Sequence, residues 1–296
     1  MTDAAFMPPT GFVKVSGNRR FEYVSRGTGP ATLLVHPGGP GFTYHYLRAI
    51  LKLADSHLRV ILFNPRGVGR SWRPARPSSY TLENQADDVE AIRRALDIKE
   101  LHLLGYSAGG FTALEYAHRY PDRLTSLLMC ATAGGAGDLR AALKYVLEHT
   151  SPVLRLRLRE LSNTGDFRSK EYRELAARIM APFSERFSAL PPPDLKATKL
   201  NEEVYRSMLT RTGDEFAVDG TMARWDGRKY YSQIFLPMLV LVGRYDYFLD
   251  ASIDMANRIR TAHLRILPRS SHYPVLEQPR EFLGQISEFL EDVTGD

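Results

Sequence analysis

One serine in the chain stands in a setting that favours nucleophilic chemistry. Ser107 lies in the run LHLLGYSAGGFTALEYAHRY (101–120), where an apolar stretch meets a Gly-Tyr-Ser-Ala-Gly turn and then a helical pattern. A serine hydroxyl is a weak nucleophile that needs a base, a group that orients the base, and donors for the oxyanion. A strand, a sharp turn and a helix in this order raise such a serine above the edge of a sheet. The run therefore predicts acyl transfer to Ser107.

The small residues around Ser107 fit the same chemistry. Gly105 and Gly109 flank the turn, and a Cβ atom at either position is expected to collide with the neighbouring strand or helix. Ala108 opens the helical pattern, so its N–H lies at a helix N-terminus, where the helix dipole favours negative charge. We predict that Ala108 is one oxyanion donor.

An acid and a base follow in the expected chain order. Asp246 comes after the strand pattern MLVLVG, and His272 comes after HLRILP. The order serine, acid, histidine, each beyond a strand, predicts a catalytic triad at one edge of the sheet. Asp250 is a rival acid, which we interpret as a helix N-cap. His36 is the main rival histidine, and we interpret it as a residue that orders a loop.

A second oxyanion donor is expected from the glycine-rich loop His36-Pro37-Gly38-Gly39-Pro40-Gly41 (36–41). Glycines let the backbone approach a substrate and aim amide groups at it. Pro40 has no N–H, and Gly38 lies closer to the preceding strand. Gly39 is therefore the predicted second donor.

The elements that position these residues alternate along the chain. Strand patterns occur in RFEYVSRG, ATLLVHPGG, LRVILFNPRG, ELHLLGYS and LTSLLMCAT. Helical patterns separate them over residues 44–54, 82–96 and 108–120. Alternation of this kind predicts an α/β fold, with a mostly parallel sheet flanked by helices and functional loops at the carboxyl ends of the strands.

A long helical stretch interrupts this alternation. From about residue 134 to 232 the periodicity is mainly helical, and we predict a helix for LRLRLREL because its neighbours are helical. The alternation then resumes and ends in an amphipathic helix over 280–293. A structureless loop of that length is improbable. We therefore predict a core domain formed by 1–133 and 233–296, with a helical cap formed by 134–232.

Composition excludes several classes of protein. The chain has 296 residues, 44% apolar and 25% charged, with a net charge of +5 and a pI of about 9.2. The charges are interspersed in sign, so a nucleic-acid partner is not expected. The single cysteine, Cys130, lies in an apolar strand pattern and is interpreted as a core residue. No signal peptide or membrane span is visible, and we expect a cytoplasmic protein.

Together these motifs resemble the α/β-hydrolase fold family and, within it, the proline iminopeptidase-like group. The resemblance covers nearly the whole chain outside the insertion. It rests on HPGGPG (36–41), NPRGVGRS (64–71), GYSAGG (105–110), GRYD (243–246) and SSHYPVLEQP (270–279). It implies that the insertion caps the site and sets specificity, and that the site residues are the nucleophile Ser107, the acid Asp246, the base His272, and the oxyanion donors Gly39 and Ala108.

Three positions depart from that group. Iminopeptidases usually carry tryptophan where this chain has Ala108, and aspartate where it has Asn64, and Pro37 interrupts their usual His-Gly-Gly sequence. These departures weaken the case for proline aminopeptidase activity without affecting the hydrolase assignment. Asn64 and Arg66 are interpreted as residues that order the glycine loop.

The substrate remains open at this stage. The favoured hypothesis is a serine hydrolase that cleaves an ester or amide of a small-molecule or short-peptide substrate, with no metal or cofactor implied; the oligomeric state is not predicted. An N-terminal aminopeptidase needs cap carboxylates, for which a solvated charged face is the favoured interpretation of Glu202, Glu203, Asp214 and Glu215. An esterase or lactonase needs an apolar pocket, for which the candidates are Phe183, Phe187, Tyr205, Met208, Trp225, Tyr230 and Tyr231. A non-catalytic ligand-binding member of the fold is the fourth alternative.

Overall fold

A single eight-stranded sheet forms the centre of the molecule. The computed structural model describes residues 10–187 and 192–295; residues 1–9, where the sequence shows no signal-peptide pattern, lie outside the described residues. The strands are β1 Gly11–Val15, β2 Arg19–Arg26, β3 Ala31–His36, β4 Leu58–Phe63, β5 Leu101–Tyr106, β6 Leu124–Cys130, β7 Met238–Gly243 and β8 Ala262–Leu267.

The order of strands across the sheet is β1-β2-β4-β3-β5-β6-β7-β8. β1 and β2 pair antiparallel, as do β2 and β4, and every other neighbouring pair is parallel. The carboxyl ends of β3, β5, β6, β7 and β8 therefore open at one edge of the sheet, as the alternation of strands and helices predicts.

Helices follow most of the parallel strands. The helices are α1 Leu82–Ala95, α2 Ala108–Arg119, α3 Ala136–Glu148, α4 Pro152–Thr164, α5 Lys170–Ser184, α6 Pro193–Ala197, α7 Glu202–Met208, α8 Leu249–Arg258, α9 Pro274–Glu277 and α10 Pro279–Thr294. Within the described residues, four 3-10 helices lie between these elements: Tyr44–Leu53, Pro77–Ser79, Pro121–Arg123 and Gly227–Gln233. None of the helices described within 10–187 and 192–295 has the length and apolar character required to span a bilayer.

Two apolar layers cover the faces of the sheet. Side chains alternate along each strand, so Leu34 and Ile61 enter the layer formed with α1 and α2. Leu33 and Val60 point to the opposite face and pack with the 3-10 helix Tyr44–Leu53 and with α10. Burial on both faces explains why the parallel strands are continuous apolar runs rather than alternating ones.

The structure agrees with most of the elements that the sequence predicts. The helical pattern at 82–96 corresponds to α1, LRLRLREL lies in α4, and the pattern at 280–293 lies in α10. The stretch at 44–54 is a 3-10 helix, in which the Ala54 N–H bonds the carbonyl three residues before it. The sequence did not predict β1, since five residues at the edge of the sheet carry too short a pattern.

Helices α3 to α7 lie between β6 and β7. Within 134–187 and 192–232, the described residues contain no strand of the sheet. Two apolar clusters hold this segment. One joins α3 and α7 to core residues such as Phe111 and Phe248. The other packs α3, α4 and α5 against one another around Tyr172.

Candidate active site

Ser107 occupies the turn between β5 and α2. Its backbone has φ 52° and ψ −122°, a conformation that non-glycine residues rarely adopt. A Cβ atom at Gly105 would lie 2.6 Å from the carbonyl oxygen of Gly109, and one at Gly109 would lie 2.4 Å from the carbonyl oxygen of His36. The small residues are therefore required because α2 begins directly against the end of β3. Thr132 supports the turn by donating a hydrogen bond to the Ser107 carbonyl (2.6 Å).

The structure brings Ser107, His272 and Asp246 together. The Oγ atom of Ser107 lies 3.0 Å from Nε2 of His272. The other ring nitrogen, Nδ1, lies 3.1 Å from both carboxylate oxygens of Asp246. Because a carboxylate only accepts hydrogen bonds, Nδ1 carries the proton and Nε2 presents its lone pair to the serine. All three side chains are buried.

Hydrogen bonds from neighbouring and from distant residues fix the loops that carry the acid and the base. One carboxylate oxygen of Asp246 accepts from the Phe248 N–H (2.9 Å). The hydroxyl of Tyr106, the residue before the serine, donates a hydrogen bond to the His272 carbonyl (2.7 Å). Glu277 accepts from both the N–H and the hydroxyl of Ser271, at 2.6 Å each. The motif SSHYPVLEQP therefore builds its own turn around the histidine.

The two predicted oxyanion donors lie beside the serine. Ala108 is the first residue of α2, so its N–H has no partner within the helix. Gly39 has φ 115°, in the region that favours glycine, and it lines a cavity together with Ser107 and Ala108. The N–H of Gly38 donates instead to the Tyr46 hydroxyl (2.7 Å). Gly39 therefore remains the better-placed donor of the loop.

Two interpretations of polar residues near the site need correction. Helix α8 begins at Leu249 with Phe248 at the N-cap, so Asp250 lies in the first turn and the N-cap interpretation is wrong. The Asp246 carboxylate accepts from the N–H of the N-cap residue Phe248, which precedes the first turn of α8. Asn64 accepts from the Tyr44 N–H (3.0 Å), just beyond the glycine loop. Arg66 binds elsewhere: its guanidinium pairs with Asp88 (2.5 Å) on α1, so the interpretation of Arg66 as a loop-ordering residue is wrong.

His36 ends β3 under the glycine loop. Its Nδ1 bonds the Pro37 carbonyl (2.9 Å), and its ring packs edge-on against Phe63 at 5.3 Å between centroids. Burial lowers the pKa of His36 to about 4, and the bond to Pro37 raises it only in part. The imidazole is therefore neutral in the neutral pH range and acts as a buried link between strand and loop.

Two adjoining cavities meet at the serine. The larger, of about 350 Å³, contains Ser107 and His272 and reaches Tyr273. The smaller, of about 100 Å³, contains Ser107 with Gly39 and Ala108. Its other walls are mainly apolar and include Phe111, Leu139, Leu143, Met180, Leu209, Met222 and Phe248. The site thus has a compact compartment beside Ala108 and a roomier compartment beside His272.

One carboxylate from the helical segment faces both cavities. Glu215 lines the larger and the smaller cavity, together with Tyr205. The Tyr205 hydroxyl donates to Glu215 at 2.5 Å. Burial raises the pKa of Glu215, while the bonds from Tyr205 and the charge of Arg206 oppose that shift. The interpretation as a solvated charged face is therefore wrong for Glu215.

The other candidates of the helical segment lie away from the serine. Glu202 and Glu203 are exposed, and Asp214 accepts from the Tyr172 hydroxyl (2.6 Å). Among the predicted aromatic and apolar lining residues, Tyr205 alone lines the two described cavities at Ser107. The remaining candidates pack in apolar clusters or against other rings: Phe183, Phe187, Met208, Trp225, Tyr230 and Tyr231.

Sequence reasoning missed a tyrosine at the centre of the site. The hydroxyl of Tyr247 lies 3.2 Å from Nε2 of His272, and its ring stacks on the imidazole. Tyr247 directly follows Asp246 in the chain. Adjacency to the acid was the only available signal, and it does not show whether the next side chain turns toward the base or toward solvent.

Comparisons with known proteins agree with this architecture. A profile of the alpha/beta hydrolase fold matches residues 31–279. The chain is 27% identical to a proline iminopeptidase of Clostridioides difficile over 96% of this chain and 97% of that protein. It is 25% identical to one of Saccharolobus solfataricus over 92% and 88%. The crystal structure of a proline iminopeptidase from Mycobacterium smegmatis superposes with a TM-score of 0.84 at 24% identity, covering 97% of this chain and 100% of that one. The chain belongs to the alpha/beta hydrolase fold family, in its proline iminopeptidase-like group, and is a hydrolase.

Proposed function

We propose that this protein is a serine hydrolase that cleaves an ester or amide bond of a small substrate through an acyl-enzyme on Ser107. The observation that carries the proposal is the continuous hydrogen-bonded chain from Ser107 through His272 to Asp246, with contacts of 3.0 and 3.1 Å. These distances are within the range in which a base takes a proton from its nucleophile.

In the first half of the proposed reaction, Ser107 Oγ attacks the substrate carbonyl carbon while its proton passes to Nε2 of His272. The carbonyl oxygen becomes an oxyanion that accepts hydrogen bonds from the N–H groups of Gly39 and Ala108. Asp246 keeps Nδ1 protonated and stabilises the imidazolium. His272 then gives its proton to the leaving atom, the bond from that atom to the carbonyl carbon breaks, and the acyl group remains on the serine.

In the second half, water takes the place of the leaving group. His272 removes a proton from the water as its oxygen attacks the acyl carbon, and the oxyanion forms again at the same donors. The proton then returns from His272 to Ser107 Oγ as the ester bond breaks. In this proposal the acyl group occupies the smaller cavity beside Ala108, and the leaving group occupies the larger cavity beside His272.

Covalent labelling tests this proposal directly. A fluorophosphonate probe should label the intact protein at Ser107, and Ser107→Ala should remove both the label and the turnover of an aryl ester. The expected loss of kcat is roughly 10⁶-fold, since removal of the nucleophile disables the whole triad. Retained turnover in a folded Ser107→Ala variant would refute the proposal.

A second candidate, an N-terminal aminopeptidase, is favoured by the position of Glu215. A half-buried carboxylate that borders both cavities provides a partner for a substrate ammonium close to the scissile bond. The similarity to proline iminopeptidases supports the same candidate function. This candidate keeps the mechanism above and restricts the acyl group to an amino acid with a free amine.

Substrate preference separates the two candidates. An aminopeptidase should hydrolyse a prolyl arylamide much faster than its N-acetylated analogue, because acetylation removes the charge that Glu215 would bind. Equal rates on both, with faster turnover of short-chain esters or lactones, would favour an esterase or lactonase instead.

A further inference from the structure

We propose that Tyr247 is a fourth catalytic residue, whose hydroxyl donates a hydrogen bond to the departing atom of the substrate while His272 protonates that atom. This inference rests on the proposed acyl transfer to Ser107. It concerns a side chain outside the triad and outside the two predicted oxyanion donors.

The position of the phenol carries the inference. The hydroxyl of Tyr247 lies 3.2 Å from Nε2 of His272, which itself lies 3.0 Å from Oγ of Ser107. It therefore contacts the nitrogen that takes up and returns the proton. Tyr247 also lines both the smaller and the larger cavity. Its hydroxyl therefore lies at the boundary between the two cavities, which the scissile bond must cross.

The orientation of the two rings leaves the lone pair of Nε2 to the serine. The rings of Tyr247 and His272 stack with centroids 4.6 Å apart and planes at 26°. A stacked phenol brings its hydroxyl toward the face of the imidazole, whereas the lone pair of Nε2 lies in the ring plane and meets Ser107 Oγ at 3.0 Å. The Tyr247 hydroxyl thus lies beside His272 without displacing Ser107 from the Nε2 lone pair.

The chemistry of bond cleavage supplies a partner for this donor. In the tetrahedral intermediate, a leaving ester oxygen has two lone pairs. One takes the proton from Nε2–H of His272 as the bond to carbon breaks, and the other can accept a hydrogen bond from Tyr247. The phenol keeps its own proton throughout, so no additional acid or base is needed.

Its surroundings keep Tyr247 in the donor form. Burial raises the pKa of Tyr247, and the negative charge of the adjacent Asp246 raises it further. The packing against Phe248, with centroids 4.5 Å apart, and against His272 fixes the ring from two sides. A preorganised donor of this kind is effective because it needs no reorganisation as charge develops.

A series of leaving groups provides the test. For esters of one small acyl group with alcohols of rising pKa, Tyr247→Phe should lower kcat/KM by about 10- to 100-fold for the most basic leaving groups and by about threefold or less for p-nitrophenolate. The reason is that a weakly basic leaving oxygen departs readily without a proton or a hydrogen bond, whereas a strongly basic one depends on both. The plot of log kcat/KM against leaving-group pKa should therefore be steeper for the variant than for the wild type.

Tyr245→Phe is the matched control, since Tyr245 is two residues away, is 45% exposed and stacks with Arg186 outside the two cavities. It should leave the slope unchanged. Parallel plots for Tyr247→Phe and wild type would overturn the inference, because a merely structural tyrosine lowers all rates alike. If the fluorophosphonate labels Ser107 in both proteins, that result would leave the proposed acyl transfer intact. Failure to label Ser107 in the wild type would overturn both.

Discussion

The rim of the sheet, where the parallel strands end, and the helical segment (134–187 and 192–232) contribute to the site in different ways. At the rim, Ser107, Asp246 and His272 each follow a parallel strand, and a Cβ atom added at Gly105 or Gly109 would lie less than 3 Å from backbone atoms, which leaves no room for a side chain there. In the helical segment, the contacts with the cavities come from side chains of α3, α5 and α7, from Leu209 and Met222, and from Glu215.

The packing of the two regions explains this difference. Strands β5 and β7, which lead to Ser107 and Asp246, are buried on both faces between two apolar layers, and β8, which leads to His272, is a partly exposed edge strand. Helix α4 of the segment leaves Val153 and Leu156 exposed, at 75% and 60%. A close-packed scaffold holds reacting atoms in place, whereas a more open segment tolerates change in the residues it presents. We therefore expect changes at the rim to affect every substrate and changes in the segment to affect only some.

After the loss expected for Ser107→Ala, the next largest effect also belongs to the rim. Asp246→Asn should lower kcat by about 10⁴-fold on all substrates, because an amide that donates to Nδ1 favours the tautomer with its proton on Nε2. Steady-state kinetics on an ester and on an arylamide would measure it. Asp250→Asn, four residues away and outside the triad, is the control. A loss confined to one class of substrate would contradict the contrast between rim and segment.

His36 tests whether the rim also contains residues that serve stability alone. Its pKa of about 4 in the folded protein lies below the 6.5 of an exposed histidine, so the unfolded chain takes up the proton first as pH falls. The contribution of His36 to the free energy of unfolding is complete above pH 6.5. It falls by about 3 kcal/mol as the pH drops from 6.5 to 4.

Denaturant unfolding across pH 4 to 6.5 would measure that loss. His36→Asn should give a shallower dependence of the free energy of unfolding on pH than the wild type, while Ser107 still reacts with the fluorophosphonate. His263→Gln, at an exposed position of β8, controls for the removal of a histidine. Identical slopes for His36→Asn and the wild type would show that His36 does not contribute to acid sensitivity.

The smallest expected effect belongs to the helical segment. Glu215→Gln should lower kcat/KM for a prolyl arylamide by roughly 10- to 150-fold, the equivalent of about 1.5–3 kcal/mol for a hydrogen bond to a charged group. It should leave the N-acetylated analogue unchanged. Glu203→Gln, an exposed carboxylate of the same segment, should change neither rate.

The pH dependence of wild-type kcat/KM adds a second measure of the same residue. Because burial raises the pKa of Glu215, its carboxylate is lost at a higher pH than that of an exposed glutamate. The preference for the free amine over the acetylated substrate should therefore weaken as pH falls through this raised pKa. A preference that is constant with pH would exclude Glu215 as the ammonium partner.

Much of the fold was predictable from local patterns in the sequence. Continuous apolar runs predicted the parallel strands, and the amphipathic pattern at 280–293 predicted α10 within about a residue at each end. Asp250 and Arg66 were misjudged because their roles depend on where α8 begins and on which helix lies beside β4. Those facts depend on packing between distant segments and leave no periodic signal in the sequence.

The sequence by itself determined the residue types of the rim and their order, because a strand, a tight turn and a helix are specified by neighbours within a few positions. Tertiary structure alone decided that Glu215, among four candidate carboxylates, borders the cavities, and that Tyr247 stacks on His272. The physical reason is that the direction of a side chain on a loop or short helix depends on what packs against it. In this protein those partners come from residues tens to more than a hundred positions away.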